Sequence, residues 1–99
     1  VDRSGNVTGL VDFDRALWGD PEIEYAVLDY CSISEPAFWY GYGQPRDTSP
    51  SAEIRRLFYL LYEVQKYMPI LVWRRADRQG AERYKDYSFR LATELIRRA

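Results

Sequence analysis

The chain has no histidine, one cysteine and one methionine among its 99 residues, and each scarcity removes some chemistry. Without histidine, and with a single thiol, there is no Ser-His-Asp or Cys-His nucleophile system and no ligand set for a zinc site. Chemistry must then rest on carboxylates, most readily through a hard, oxygen-preferring cation such as Mg²⁺. The lone Cys31 has no partner for an internal disulfide. Beside Tyr30 and Ile33 it reads as a packed thiol in a reducing compartment, so the expected location is the cytoplasm. Apolar runs are short and broken by charge, far from the roughly 20 residues a membrane-spanning helix needs, so no membrane partner is expected. The opening "VDRSGNVTGL" has neither an initiator Met nor the charged-then-apolar layout of a secretion signal, and it begins inside a folded pattern. The expectation is a single partial domain over 1–99, a piece of a longer protein.

What is present sets a modest core. At 46% hydrophobic and 16% aromatic, a chain of this length can fold around one core with little stability to spare. The net charge of -1 hides an asymmetry. Asp12, Asp14, Asp20, Glu22, Glu24, Asp29 and Glu35 face one base, Arg15, in the stretch 12–35, whereas the stretch 50–99 holds eleven bases against six acids. The bases Arg55, Arg56, Arg74, Arg75, Arg97 and Arg98 alternate with apolar positions, the pattern of solvated helix faces. No nucleic-acid motif accompanies them, so no nucleic-acid partner is expected.

Local signals divide the chain into a short hairpin and a helical remainder. Arg3-Ser4-Gly5-Asn6 is turn chemistry between Val1-Asp2 and the run Val7 to Phe13, which predicts a β-hairpin over 1–13 with Asp12 near a strand tip. Period-two alternation puts Val7, Gly9, Val11 and Phe13 on one face and Thr8, Leu10 and Asp12 on the other. Asp20-Pro21 is a helix start, with Asp20 as cap and Pro21 at the first helical position, and the helix should run from Pro21 to about Tyr30. Ser34-Glu35-Pro36 opens a short aromatic helix that ends near Gly41 and Gly43, and Ser49-Pro50 caps a long one. Ile54, Leu57, Phe58, Leu61, Val64 and Met68 form its core stripe, with Arg55, Arg56 and Glu63 off it. Pro69 should kink or split that helix, and the continuation from Ile70 should stop at Gly80. Tyr84, Tyr87, Leu91 and Leu95 mark one face of the last helix. The fold class expected is mostly α with a short N-terminal hairpin (α+β), helical over 21–98.

The densest stretch is "GLVDFDRALWGDPEIEYA", residues 9–26. Taken singly its parts have ordinary structural roles: an Asp that caps a turn, a Gly-Asp-Pro loop-to-helix junction. Together they place two acids at a strand end and a capped acidic helix eight residues on, which suits a metal and phosphate site. Gly9-Leu10-Val11-Asp12-Phe13-Asp14, then Ala16, Gly19-Asp20-Pro21 and Glu24-Tyr25-Ala26, resembles the signature of the aminoglycoside phosphotransferase family, which has a protein-kinase-like fold. The likeness is specific through residue 26 and generic beyond it, as the helices of a C-terminal lobe.

The resemblance implies roles residue by residue. Asp12 falls where the family holds the Mg²⁺ that bridges the ATP phosphates, and Val11 where a residue lines the nucleotide pocket. Asp14 matches a second acid that assists the metal or faces solvent. Asp20 matches a helix cap, and Glu24 a helical acid that supports the catalytic loop from behind. The implied reaction moves the γ-phosphoryl group of ATP to a hydroxyl of a small acceptor. The H-G-D-x-x-x-x-N motif that positions the nucleophile is absent from this chain, as are the nucleotide-binding lobe and its Lys. No catalytic residue is therefore assigned, and the 99 residues alone should not turn over ATP. The acidic stretch 12–35 favours a cationic acceptor. Phe38, Trp39, Tyr40 and Tyr42 read either as helix packing or as an acceptor-pocket lining. Two other classes remain open, a non-catalytic helical interaction module and a nucleotide-binding pseudo-enzyme. Unpaired edges at 7–13 also predict dimerisation.

Overall fold

A computed structural model describes residues 1–12 and 18–99. Five helices account for most of it: α1 Glu22–Tyr30, α2 Pro36–Tyr42, α3 Pro50–Gln65, α4 Tyr67–Arg75 and α5 Arg78–Arg98. The central element is α3, which packs against α1 on one side and α5 on the other, while α4 lies along α5.

Local chemistry explains the helix starts. The Asp20 carboxylate accepts the Glu22 N–H at 3.1 Å, and Ser49 Oγ accepts the Ala52 N–H at 3.3 Å ahead of Pro50. Each relieves a first-turn amide that has no partner within its helix. At α2, Pro36 opens the helix and Gly43, at φ 78°, closes it in the left-handed conformation glycine adopts without strain. Pro69 divides α3 from α4 as expected. Proline lacks the N–H that would bond the Gln65 carbonyl four residues back, and the break falls at Lys66.

The boundary expected at Gly80 is displaced. The continuation ends at Arg75, where Ala76 takes a left-handed φ of 53°, and Gly80 sits inside the first turn of α5. Asp77 decides this. Its carboxylate accepts the Gly80 N–H at 2.7 Å, and a Cβ on Gly80 would lie 2.2 Å from that carboxylate. Glycine here makes room for a cap at the start of a helix.

No strand forms among the described residues of the N-terminal segment. The turn is present: Asp2 N–H donates to the Asn6 carbonyl at 2.9 Å, and the Asp2 carboxylate accepts from the Ser4 and Asn6 amides. Beyond it Val7, Leu10 and Val11 are exposed. A lone two-stranded hairpin is marginal in water, and residues 1–12 are all exposed. The expected strand end at Phe13 lies outside the described residues.

The core is small. Its buried apolar members among the described residues are Ala26, Ala52, Val64, Leu71, Ala81 and Leu91, half of them alanines that let α1, α3 and α5 approach closely. The radius of gyration, 16.1 Å, exceeds the roughly 13 Å of a compact 100-residue domain. Two expectations for α3 fail: Phe58 is exposed, and Arg56 and Glu63, read as lying off the core stripe, are buried. Cys31, read as packed, is exposed.

Candidate functional site

Asp12 is exposed and holds a positive φ of 70°. Asp tolerates this region better than most residues, yet a non-glycine there is uncommon and costs on the order of 1–3 kcal/mol, and such residues gather at functional sites. Val11 beside it is 88% exposed. Asp14, the second expected metal ligand, lies outside the described residues. Among the described residues no three His, Cys, Asp or Glu side chains converge as a metal cluster. Mg²⁺ usually keeps several waters and takes one or two carboxylates together with substrate phosphates. Asp12 alone fits that supporting part and does not make an all-protein metal cage.

Asp20 is held far more firmly. While one carboxylate oxygen caps α1, the other accepts from Arg55 Nε at 2.8 Å and from the Tyr59 hydroxyl at 3.3 Å. Two residues on, Glu22 is buried against Arg56: Nε and Nη2 reach the same carboxylate oxygen at 2.9 and 2.8 Å. Arg56 also donates from Nη1 to Glu53 at 2.6 Å and from Nη2 to the Asp47 carbonyl at 3.0 Å. Adjacent arginines of α3 thus grip two acids at the N-terminus of α1, and Arg46 adds a two-pronged pair to Asp29 at 3.0 and 2.7 Å. Glu24, expected behind a catalytic loop, is exposed on α1. The structure joins Asp20 to this grip; Glu24 stands outside it.

Helix periodicity misses this network because its partners are up to 39 positions apart. A sequence signal did exist. The acid-rich 12–35 and the paired Arg55-Arg56 are opposite in sign.

Tyr25, Phe38, Trp39 and Tyr42 pack on one another. Tyr25 sets its ring edge-on to Trp39, with centroids 5.1 Å apart, and its hydroxyl donates to that of Tyr42 at 2.9 Å. That hydrogen bond is the first cause of the rise in the Tyr25 pKa to about 12, with burial adding to it. Phe38 stacks on Tyr42, while Tyr40 is exposed. A second group joins three helices: Tyr67 of α4 stacks between Tyr30 of α1 and Tyr84 of α5, whose hydroxyls bond each other. Burial, then that hydrogen bond, pushes the Tyr30 hydroxyl well above the usual phenol range.

An open cavity of about 340 Å³ lies where the start of α3 meets the end of α5, lined by Thr48, Pro50, Glu53, Ile54, Arg97 and Arg98. None of the expected site residues Val11, Asp12, Asp20 and Glu24 lines it. Comparisons of the chain with family models, curated proteins and solved structures gave no match.

Proposed function

We propose that this chain forms the C-terminal-lobe part of an ATP- and Mg²⁺-dependent phosphotransferase that acts on a hydroxyl of a small molecule, similar to the aminoglycoside phosphotransferases. The observation that carries the reading is the sequence of three linked motifs over 9–26: Gly-Leu-Val-Asp-Phe-Asp, Gly-Asp-Pro and Glu-Tyr-Ala at the family's spacing. The left-handed backbone of Asp12 supports it, since strain is retained at sites that use it.

In this reading Asp12 is the carboxylate that shares Mg²⁺ with the nucleotide phosphates, and Val11 borders the nucleotide. Mg²⁺, when bound, neutralises charge on the phosphoryl oxygens. The Arg55 and Arg56 grip fixes the start of α1, which gives Asp20 the structural role the family assigns it. The N-terminal segment becomes a hairpin only when the rest of a kinase-like fold supplies a surface to pack on. The acidic stretch 12–35 favours a cationic acceptor, and the isolated 99 residues are inactive.

The coding sequence directly upstream of the codon for Val1 tests this. An H-G-D-x-x-x-x-N motif ending a few residues before Val1 supports the reading. A start codon or unrelated sequence there removes the nucleophile-positioning residue and overturns it in favour of an interaction module.

A further inference from the structure

Between α1 and α3 the chain leaves the helical bundle and returns to it at one point. Asp29 in α1 and Arg46 beyond α2 close the base of this excursion with a two-pronged pair at 3.0 and 2.7 Å. The excursion carries α2, none of whose residues is buried and whose backbone packs against no other helix of the described residues. Most of its side-chain contacts are internal: the rings of Phe38, Trp39 and Tyr42 lie against one another, and Trp39 Nε1 donates to Ser34 Oγ at 3.2 Å. Among the described residues, hydrogen bonds and ring contacts join α2 to the other helices through one residue, Tyr25. A left-handed residue stands on each side of α2, Ser32 at φ 57° and Gly43 at φ 78°. The amides of Ser32 and Ile33 bond back to the Asp29 and Leu28 carbonyls, which closes the end of α1 without any contribution from α2.

We propose that α2 and its flanking turns form a hinged flap, latched by Tyr25, that opens as one unit and uncovers the Tyr25 side of α1 while the other helices stay folded. Ser32 and Gly43 are the hinges, since a few residues at the ends of an element absorb the backbone change of such a motion. The Asp29 and Arg46 pair lies outside both hinges, so the base stays closed when the flap opens. What separates the flap from the bundle is the asymmetry of α1. Its start is gripped by Arg55 and Arg56 through Asp20 and Glu22, and its end meets Tyr67 and Tyr84 through Tyr30. Opening the flap breaks none of these contacts. It breaks only the Tyr25 contacts with Trp39 and Tyr42, and a segment with no buried residue and so few ties lies at the low-stability end of a fold.

The test is native-state amide exchange on the full chain in low urea. The amides of Trp39 to Gly43 should share one protection factor, at least about tenfold below those of the slowest amides in α3, with a shallower dependence on urea. Tyr25→Phe deletes the hydroxyl bond to Tyr42 and should lower protection in α2 about fivefold. Tyr42→Phe should do the same, and the two together no more, because both delete one bond. Tyr84→Phe weakens the bundle at its contact with Tyr30. It should lower protection in α3 and α5 yet leave that of α2 unchanged, because the flap opens without breaking that contact. Protection in α2 equal to that in α3 overturns the proposal, as does its absence from wild-type α2. A Tyr25→Phe variant with unaltered α2 protection overturns the latch, and a Tyr84→Phe variant in which α2 and α3 lose protection by the same factor overturns the separate opening.

Discussion

Arg56 and Glu22, thirty-four positions apart, form an ion pair at 2.8 Å with each residue only 3% exposed. The pair joins the middle of the sequence to the start of α1. Its environment determines how it responds to substitution. Removing one partner strands a buried charge, whereas removing both takes away the desolvation cost as well as the attraction. Arg56→Met should therefore destabilise the fold by about 3–5 kcal/mol. The double variant Arg56→Met, Glu22→Leu should recover much of that loss. Urea unfolding followed by circular dichroism reads both, and a double variant no better than the single would contradict a buried pair.

Acid should loosen the end of α5 before the rest. Hydrogen bonds from Arg97 and then Arg98 pull the Glu94 carboxyl down from 4.5 to about 2. A depressed carboxylate contributes stability above its unfolded pKa and loses that contribution as pH falls through the folded value. The window is thus about pH 4.5 down to 2. Amide protection factors at residues 94–99, with the intrinsic pH dependence of exchange divided out, should fall across it, and those of Glu94→Gln should be low at every pH. A wild-type profile that stays flat through this window would contradict the contact.

Two glycines inside helices should respond to alanine with opposite signs. Gly41 in α2 has open space around it, so Gly41→Ala should stabilise by roughly 0.5–1 kcal/mol, the usual gain inside a helix. At Gly80 the added methyl collides with the Asp77 carboxylate and removes a cap worth about 1 kcal/mol. That loss cancels the propensity gain, so Gly80→Ala should fail to stabilise. Thermal melts of the two variants, run side by side, make the comparison.

The elements that were legible in the sequence are those whose cause is local. Asp20-Pro21, Ser49-Pro50 and Pro69 each act within four residues: the first two start helices within a residue of expectation, and Pro69 splits its helix at Lys66, three residues ahead of it. Gly80 misled because a glycine stops a helix or admits a cap according to what precedes it, and Asp77, three residues earlier, is the cap that settles it. Arg56 and Glu63 were illegible for a different reason. A charge reads as solvated until its partner is known; Glu22 for Arg56 is distant in sequence, and Lys66 for Glu63 is near but unremarkable among surface pairs. Alternation at residues 7–11 described a strand correctly as a pattern, but a pattern without a surface to cover gives no strand. Of the site, Asp12 is singled out both by its motif and by its backbone, whereas the grip around Asp20 emerged only from the packing of α1 on α3.

The most direct measurement of the central claim is Mg²⁺-dependent ATP binding, by calorimetry, in the protein that carries both this chain and its upstream part, for wild type and Asp12→Asn. The account predicts wild-type binding that requires Mg²⁺ and a loss of at least about a hundredfold in the variant, whose circular dichroism and melting stay unchanged because Asp12 is exposed. A variant that binds Mg²⁺ and ATP as the wild type does, or a wild type that binds neither, would contradict it.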